Sequence, residues 1–439
     1  MCLVELGLKE EPLLRSAIER IVIVSDDSVE SGGAASVAIA SACVLRRRGF
    51  AVTFLTGDEG VSHTLKAAGV DIVAYRGMDI REGPRVTAAL RGLYDSGARA
   101  FLQSWVSDHD TPRTIYHLHN WHKVLSPAAF AALVGIAPRL FLTTHDYFLA
   151  CPNGGFSNFP RNSPCDLVPL STQCLLSNCD KRHYGHKLWR VARHVVRGHL
   201  CDLHHTQATV LAVHEAMVPL LQRGGIDLSA IRVLRNPVTP WRATRVEAER
   251  NHQVFYVGRL ELDKGVDVLA RAARIAGVPL TVIGDGALRS VLASQHPEVR
   301  LLGSLTKPEL AEWIRQARVL VMPTRCRETF GLVAAEALMC GVPVIASTLA
   351  PVSDEIVRHG FGLSCAPGDA ETLALQLQDI MKDDGAIAEM SKRAFAASRS
   401  LAPDLDQWCD ELLNLYEDKL LRSNREQIAR GALMTAVPV

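Results

Sequence analysis

Glu328-Thr-Phe-Gly-Leu-Val-Ala-Ala-Glu336 is the stretch that decides the fold class of this chain. It follows the apolar run Val319-Leu-Val-Met-Pro323, which is typical of a buried parallel strand. The small and apolar residues from Phe330 to Cys340 indicate a helix packed on a sheet, so Glu328 lies in the loop between strand and helix. At a rise of ~1.5 Å per residue, Glu336 then lies ~10 Å from Glu328 along the helix.

This spacing suits an elongated ligand with an anionic centre and a hydroxyl-rich group at each end. The backbone N–H groups of Phe330, Gly331 and Leu332 would meet a diphosphate at the start of the helix. Glu328 and Glu336 would accept hydrogen bonds from the sugar and ribose hydroxyls. The same spacing also fits an alternative, in which Glu328 caps the helix and Glu336 is a solvated surface charge.

The end of an earlier strand supplies two cations. Val254-Phe-Tyr-Val-Gly-Arg-Leu260 predicts a strand that ends at Gly258 and Arg259, and a helix begins near Lys264. Both cations are expected in one crevice, where they would stabilise the charge of a departing diphosphate. In the alternative, Lys264 pairs with a neighbouring aspartate.

The order of these motifs resembles that of the retaining glycosyltransferases of family four, which have the GT-B fold. The resemblance covers most of residues 230 to 400. It is based on Gly258-Arg259, Lys264-Gly265, Gly284-Asp285-Gly286, Gly303, Glu328 through Glu336, Ala337-Leu-Met-Cys-Gly341, Pro343-Val-Ile-Ala-Ser347 and Glu355-Ile356. It implies an α/β protein with two Rossmann-like doubly wound domains that face each other across a cleft.

The resemblance also implies roles for individual residues. Arg259 and Lys264 would bind the donor diphosphate, Glu328 would contact the transferred sugar, and Glu336 would bind the ribose. The implied donor-binding set is Gly33, Arg259, Lys264, Asp285, Gly303, Phe330, Gly331, Leu332 and Glu336. One segment, Leu349-Ala350-Pro351, departs from the Gly-Gly pair that the family often has before the glutamate at position 355.

The N-terminal half predicts the same alternation of strand and helix. A strand at Ile21 to Ser25 precedes Gly33 and a helix from about Ala34 to Arg47, and two later strands end near His119 and Thr143. Ligands bind at the carboxyl ends of such strands. The family has a histidine beside the reacting carbon, and His145 is the best match for this catalytic role. Predicted acceptor-binding residues are His119, Asn120 and Asp146.

Length and composition fit two domains. The chain has 439 residues, of which 48% are hydrophobic and 22% charged, so it can bury two cores. A formal net charge of +1 gives no general attraction for nucleic acid. We predict an N-terminal acceptor-binding domain over residues 1–225 and a nucleotide-sugar-binding domain over 226–400. A helix over 401–421 would pack back on the first domain, and 422–439 would form a tail.

Residues 151–200 look like an insertion, rich in cysteine and then in basic residues. Cys151, Cys165, Cys174 and Cys179 could hold a structural zinc ion, remain free thiols or form disulfides, and free thiols are favoured. Residues 181–200 contain lysines and arginines without an acid. On a helix, Leu188, Val191, Val195 and the stem of Trp189 could form an apolar stripe beside a basic face.

Such a helix could rest on an anionic membrane surface or hold a phosphorylated acceptor, and a solvated face around a core stripe is the alternative. Either of the first two roles would fit a carbohydrate or polyprenyl-diphosphate-linked acceptor. No run of residues is apolar enough to span a bilayer, and Lys9, Glu10 and Glu11 interrupt the place where a signal peptide would continue. We therefore expect a cytoplasmic protein, with possible peripheral contact with the membrane.

Together, the motifs and the family that they resemble imply a retaining glycosyltransferase that needs no metal and moves a sugar from a nucleotide-diphosphate donor to an acceptor hydroxyl. Polysaccharide or glycolipid assembly is the expected setting. Two alternatives belong to other classes: a nucleotide-sugar 2-epimerase of the same architecture, and a non-catalytic protein that binds sugar nucleotides.

Overall fold

The computed structural model describes the backbone of residues 18–435 and the side chains of residues 18–423. Two large parallel sheets form two domains, and helices follow most of their strands. Parallel strands need such crossovers, which cover both faces of the sheet and leave the strands buried. The predicted α/β class with two doubly wound domains is confirmed.

The sheet of the first domain has seven strands. In chain order the strands of this domain are β1 Arg20–Ser25, β2 Ala51–Thr56, β3 Asp71–Ala74, β4 Thr114–Leu118, β5 Leu140–Thr144, the small antiparallel hairpin β6 Ser157–Asn158 and β7 Ser163–Pro164, then β8 Thr209–Ala212 and β9 Ile231–Val233. The order in the large sheet is β3-β2-β1-β4-β5-β8-β9. Ile21 to Val24 have no exposed surface, because helices cover both faces of β1.

Eight helices accompany these strands within the described residues. They are α1 Gly33–Arg47, α2 His63–Ala67, α3 Arg85–Leu93, α4 Ser96–His109, α5 Ala128–Leu133, α6 Thr172–Leu176, α7 Tyr184–Leu200 and α8 Val218–Arg223. The predicted helix from Ala34 to Arg47 corresponds to α1. Its side chains Val37, Ala38 and Leu45 are buried, and no Pro or interior Gly interrupts it.

The second domain has a six-stranded parallel sheet in the order β12-β11-β10-β13-β14-β15. Its strands are β10 Gln253–Val257, β11 Leu280–Ile283, β12 Arg300–Gly303, β13 Ala317–Met322, β14 Val344–Ser347 and β15 Gly362–Cys365. Its helices, followed by the last helix of the chain, are α9 Val266–Ala276, α10 Arg289–Gln295, α11 Lys307–Trp313, α12 Leu332–Met339, α13 Val352–Arg358, α14 Ala370–Lys382, α15 Asp384–Ala397 and α16 Leu405–Thr435.

Two predicted boundaries need correction. Strand β9 pairs with β8, so the first domain continues past the predicted start of the second domain at residue 226. The predicted tail over 422–439 is wrong up to Thr435, because the backbone of α16 stays helical to that residue. Residues 1–17 and 436–439 lie outside the described part of the chain.

The last helix returns to the first domain. Trp408 and Tyr416 are buried in the core that contains β1 and α1, and the Asp406 carboxylate lies 2.8 Å from an Arg47 nitrogen. The chain therefore crosses between the domains twice. The two crossings are joined where the Val238 N–H donates to the Pro403 carbonyl oxygen at 3.1 Å.

The four cysteines of the insertion are free thiols and lie in one region, but their sulfurs do not form a metal-ligand set. The buried Lys187 ammonium lies between two of them, donating to Cys179 Sγ at 3.1 Å and to Cys174 Sγ at 3.5 Å. A cation already occupies part of the space that a zinc ion would need. The arrangement therefore differs from the predicted tetrahedral zinc site at Cys151, Cys165, Cys174 and Cys179.

Among the described residues, one group has ligand atoms close enough for a metal ion, namely His214, Glu215 and Glu355. The Arg235 guanidinium donates to both of these glutamates, at 2.7 and 2.8 Å. Because Arg235 neutralises the carboxylates, we interpret the group as an ion-pair network that ties the two domains together.

Helix α7 reverses the amphipathic pattern that the sequence predicts. Its cations Lys187, Arg193 and Arg197 are buried, whereas Leu188 and Val195 are 47% and 38% exposed. Leu188 and Val195 of the predicted stripe therefore face solvent, whereas Trp189 and Val191 are half-buried. Within residues 18–435, no helix combines the length and apolar character that crossing a bilayer requires.

Candidate functional site

The site lies where the strand ends of the two sheets meet. The loop between β13 and α12 carries Glu328 and Thr329, and it contacts the loop after β5. Thr329 Oγ1 donates to the His145 carbonyl oxygen at 3.0 Å, and the Tyr147 hydroxyl lies 3.4 Å from the Glu328 carbonyl oxygen. The structure thus brings the two predicted catalytic segments, one from each domain, side by side.

Lys264 and Glu328 form an ion pair with Nζ and Oε1 2.6 Å apart. Burial disfavours the Lys264 ammonium, but attraction to Glu328 outweighs this cost, so the pKa of Lys264 is raised. The Glu328 N–H donates to the Leu349 carbonyl oxygen, so the segment that departs from the family pattern holds the Glu328 backbone. Lys264 is therefore paired, but with Glu328 across the crevice and not with the neighbouring aspartate of the sequence alternative.

Gly265 explains how Lys264 reaches Glu328. Its φ is +72°, and a Cβ at this position would lie 2.0 Å from the Pro323 carbonyl oxygen. Only glycine allows both this conformation and this close approach. The turn at Lys264 therefore packs directly on the end of β13, immediately before the loop that carries Glu328.

Arg259 lies further out, at the mouth of the cleft. Its side chain is 59% exposed and pairs with Glu261 at 3.1 Å. It contributes electrostatic repulsion that partly opposes the raised pKa of Lys264, so the two cations act on the same region. The predicted pair of cations is thus present, with Lys264 at the centre of the crevice and Arg259 at its edge.

Helix α12 begins between these charges. Gly331 precedes it in a left-handed conformation, and no side chain caps the helix start. Its first N–H groups are therefore placed to receive an anion. Phe330 is buried, and Leu332 packs against the cores on the first-domain side. A Cβ at Gly33 would lie 2.9 Å from Leu332 Cδ1, so the predicted glycine loop of the first domain meets the start of this helix.

Glu336 is partly buried one turn further along α12. Burial raises the pKa of Glu336 to about 7, although attraction to Lys307 and a hydrogen bond with Trp241 oppose the shift. This environment does not fit a solvated surface charge. A carboxylate that is largely removed from water is stabilised by hydrogen bonds from hydroxyl groups. The ribose of a nucleotide would supply such hydroxyl groups.

Asp285 and Gly303 follow β11 and end β12, so they also lie at the carboxyl edge of the second sheet. The Asp285 side chain is 58% exposed and lies 3.4 Å from Arg289. The Gly303 carbonyl oxygen accepts the Gly284 N–H at 2.8 Å, which joins the two turns. Both predicted residues are therefore at the correct edge of the sheet for a ligand, without contacting Glu328 in the described structure.

Two predicted histidines contact each other on the first-domain side. His119 Nδ1 lies 2.9 Å from His145 Nε2, and the rings are stacked with centroids 5.2 Å apart. Burial lowers the pKa of both, that of His145 to about 3, so both rings are neutral and one hydrogen lies between them. The buried Nε2 of His119 has no hydrogen-bond partner among the described residues.

Asp146 and Asn120 complete the predicted acceptor-binding set. Burial raises the pKa of Asp146 to about 6, although the Phe148 N–H donates to its carboxylate at 2.9 Å. Its other oxygen lies 3.5 Å from His122 Nδ1. Asn120 is buried in the loop between β4 and His122.

Asp26 is a functional-loop residue that the sequence analysis missed. It is buried directly after β1, and its carboxylate accepts N–H groups from Lys123, Val124 and Leu125 at 2.7 to 3.0 Å. These bonds fix the loop that follows His119 and Asn120. The signal in the sequence was an acid at the end of the first strand, where a loop of another strand approaches.

Comparison with known proteins agrees with this geometry. Residues 238–397 match the family model described as glycosyl transferases group 1. The chain is 34% identical over 196 residues to a glycogen synthase of Mycobacterium tuberculosis, across 42% of this chain and 46% of that protein. The chain spans about half the length of the curated relatives it matches.

Two solved structures resemble almost the whole chain. The sucrose-phosphate synthase of Thermosynechococcus elongatus has a TM-score of 0.67 at 18% identity, covering 91% of this chain and 98% of its own. Anabaena Alr3699/HepE, solved with UDP and glucose, has a TM-score of 0.63 at 18% identity, covering 90% and 98%. The predicted GT-B fold is confirmed, as is the resemblance of the second domain to glycosyl transferases group 1.

Proposed function

We propose that this protein is a retaining glycosyltransferase that transfers a sugar from a nucleotide-diphosphate donor to an acceptor hydroxyl. The observation that carries the proposal is the Lys264–Glu328 ion pair at the uncapped start of α12, facing the His119–His145 pair of the other domain. Its relatives include proteins named for glycogen synthesis and for transfer from GDP-mannose, which support a role in glycan assembly.

In this proposal the donor diphosphate lies at the start of α12. When the bond between the anomeric carbon and the diphosphate breaks, negative charge grows on the leaving oxygen. The Lys264 ammonium, the Arg259 guanidinium and the backbone N–H groups of Gly331 and Leu332 stabilise that charge. These groups supply the positive field that a divalent cation supplies in other transferases, so we propose a reaction that needs no metal.

The remaining roles follow from position. Glu328 accepts hydrogen bonds from the hydroxyls of the transferred sugar, and Glu336 accepts those of the ribose. The His119–His145 pair is neutral and can donate or accept one hydrogen bond toward the reacting sugar. Gly33 brings the backbone of the first domain against the donor helix, and Asp285 and Gly303 border the donor crevice.

The test uses a panel of nucleotide sugars with the purified protein and with the variants Lys264→Ala and Glu328→Ala. We expect release of nucleoside diphosphate from at least one donor by the native protein, in the presence of a chelator, and loss of release in both variants. Glu298→Ala is the matched control, because Glu298 forms an exposed ion pair on another face. Near-native turnover by a folded Lys264→Ala or Glu328→Ala variant would contradict the assignment.

The products separate the alternative classes. Interconversion of one nucleotide sugar into its 2-epimer would indicate the epimerase, and binding without turnover of any donor would indicate a sugar-nucleotide-binding protein. Retention is measured by the anomeric configuration of the product. Peripheral contact with the membrane remains part of the proposal, and the exposed apolar side chains of α7 support it.

A further inference from the structure

A separate cavity of about 770 Å³ opens beside the proposed donor crevice. Its walls come from α3 and α7 with the residues just before each, from the loops after β4 and β5, and from Arg259 of the second domain. Cavities of this size hold small organic ligands. Lys264, Glu328 and Glu336 do not line it, and Arg259 is the one residue of the assigned donor-binding set that does.

The cavity is strongly basic. Seven cations line it against a single acid, Asp79. Four of the cations pair with carboxylates, namely Arg81, Lys123, Arg190 and Arg259. Among the described residues, the other three form no salt bridge: Arg85, Arg182 and Arg193. An excess of three positive charges in one concave surface attracts an anion.

Arg193 is the anchor of this surface. Its side chain is buried with 5% exposure, and its guanidinium lies over the rings of Trp121 and Trp189, at 5.1 and 5.5 Å from their centroids. One terminal nitrogen donates to the His122 carbonyl oxygen at 2.7 Å, whereas Nε has no hydrogen-bond partner in the described structure. A buried donor without a partner is costly unless a ligand supplies an acceptor.

Two aromatic side chains complete the wall of the cavity. Phe148 and Trp189 both line the cavity, and the Trp189 indole N–H is fixed by the Ala89 carbonyl oxygen at 3.0 Å. The Arg190 guanidinium lies 5.4 Å from the centroid of the Phe148 ring, and the His186 ring stacks on Trp189 with centroids 5.5 Å apart. The aromatic rings therefore help to hold Arg190 and Arg193 in place in the wall.

The cavity adjoins the proposed reaction centre. His122 lines it, and its Nδ1 lies 3.5 Å from the Asp146 carboxylate, which directly follows His145 in the chain. Arg259, which we assign to the donor diphosphate, also lines the cavity. A ligand in the cavity can thus extend a hydroxyl toward the donor.

We propose that this cavity binds the glycosyl acceptor, and that the acceptor carries a phosphate or pyrophosphate group held by Arg85, Arg182 and Arg193. The assignment of the ligand as an acceptor rests on the proposed function, whereas its binding can be measured without transfer. The phosphate can belong to a free sugar phosphate or to a lipid-linked sugar. Leu188 and Val195 of α7 are exposed next to the cavity wall and would suit the lipid case.

The experiment measures binding of glucose 6-phosphate, glucose 1-phosphate and uncharged glucose by calorimetry. A second arm measures sedimentation with phosphatidylcholine vesicles, with and without a polyprenyl pyrophosphate. The proteins are the native chain, the double variant Arg85→Glu/Arg182→Glu, and Arg393→Glu as a matched charge reversal on an exposed helix of the second domain. Arg85 and Arg182 are exposed, so these changes leave the folded core intact.

We expect the phosphorylated ligand of at least one arm to bind, glucose to bind much more weakly, and the double variant to lose about tenfold or more in affinity, because attraction becomes repulsion. Arg393→Glu should bind as the native protein does. Binding of a soluble sugar phosphate identifies a free acceptor, and binding only to the doped vesicles identifies a lipid-linked one.

Lys264→Ala distinguishes the two proposals, because it disables the donor crevice and leaves the cavity unchanged. If the native protein turns over no donor while phosphate binding persists in Lys264→Ala, the proposed function fails and the anion cavity stands. The cavity proposal is overturned if no phosphorylated ligand binds, if glucose binds equally well, if the double variant keeps native affinity, or if Lys264→Ala abolishes phosphate binding.

Discussion

Gly33 of the first domain and Leu332 of the second approach so closely that a Cβ on Gly33 would lie 2.9 Å from Leu332 Cδ1. Leu332 is the first residue of α12, the helix whose start we assign to the donor diphosphate. Because Gly33 has no side chain, the first domain can approach the donor crevice this closely.

Filling this space should move the domains apart at the crevice. We expect Gly33→Val to cost about 1–3 kcal/mol of stability through overpacking, and to weaken donor binding. Leu332→Ala opens space on the opposite side, so the double variant should recover part of both losses. Urea unfolding and donor titration of the four proteins measure this; additivity of the two changes within about 0.5 kcal/mol would show that the residues do not interact.

The Lys264–Glu328 pair should matter more for the ligand than for the fold. The two side chains are 25% and 17% exposed, so water screens the pair and we expect Lys264→Met to cost only about 1 kcal/mol of stability. Donor at about 100 times its dissociation constant should stabilise the native protein by about 2.7 kcal/mol. This stabilisation should vanish in Lys264→Met. A variant that keeps the full ligand-induced rise in Tm would exclude Lys264 from the donor site.

Donor affinity should depend on pH near neutrality through Glu336. The folded pKa of about 7 lies above the ordinary value of a glutamate, so the carboxylate form is lost as the pH falls through 7. We expect weaker nucleotide binding below pH 7, because a protonated carboxyl is a poorer acceptor for ribose hydroxyls. Titration of the native protein on both sides of pH 7 tests this. Glu336→Gln should bind weakly with a flat profile, and an equal slope in that variant would assign the pH dependence to another group.

The His119–His145 pair should stay neutral over the working range of the protein. The pKa of His145 is lowered to about 3 by burial, so neither imidazole signal should shift in NMR spectra between about pH 5 and pH 8. Free imidazole in the same sample serves as the reference. A midpoint near pH 6.5 for either ring would contradict the buried, neutral pair.

The same burial predicts acid sensitivity. His117, His119 and His145 have pKa values lowered below that of an unfolded histidine, so the unfolded chain binds protons that the folded chain does not. The contribution of these histidines to the free energy of unfolding should therefore fall as the pH drops from about 6.5 toward about 3, against the opposite contribution of Asp146 and Glu336, whose pKa values are raised. His117→Gln should reduce this dependence, because one such group is removed; an unchanged slope would exclude His117 as a contributor.

The contact of Lys187 with two cysteines can be tested by a substitution that is expected to restore stability. Removing its sulfur partners in Cys174→Ala/Cys179→Ala leaves a buried ammonium unpaired, which should cost about 3 kcal/mol of stability. Adding Lys187→Met should restore much of that loss, because no buried charge remains. We also expect less than about one tenth of an equivalent of zinc per chain. Release of a full equivalent on chelation would restore the zinc prediction.

The second domain could be predicted in detail because its local patterns agree with its fold. A strand, a glycine turn and a helix recur in order, and Lys264, Glu328 and Glu336 lie where that pattern places them. The contact between Lys264 and Glu328 needed the structure, since 64 residues separate the two. The spacing in the sequence predicts which residues lie at the carboxyl edge of the sheet. Which side chains form ion pairs there depends on the geometry of turns such as the one at Gly265.

The first domain was harder to predict for a physical reason. In α7 the sequence shows apolar residues at helical spacing, and such residues usually face a core. Here buried carbonyls, thiols and aromatic rings attract the cations inward, so Arg193 is buried and Leu188 is exposed. Asp26 was missed similarly, because its three backbone partners lie about 100 residues away.

Two segments of the chain connect the domains, and they are joined by the hydrogen bond between Val238 and Pro403. Together they form a two-stranded hinge. A single connection would let one domain swivel in any direction, whereas two adjacent connections leave bending about one shared axis as the soft motion. Arg235, which also donates to the Leu401 carbonyl oxygen, stiffens that axis. Opening for substrate exchange would then be a hinge rotation about that axis. Each closure would bring the loops of the two domains back to the same relative position.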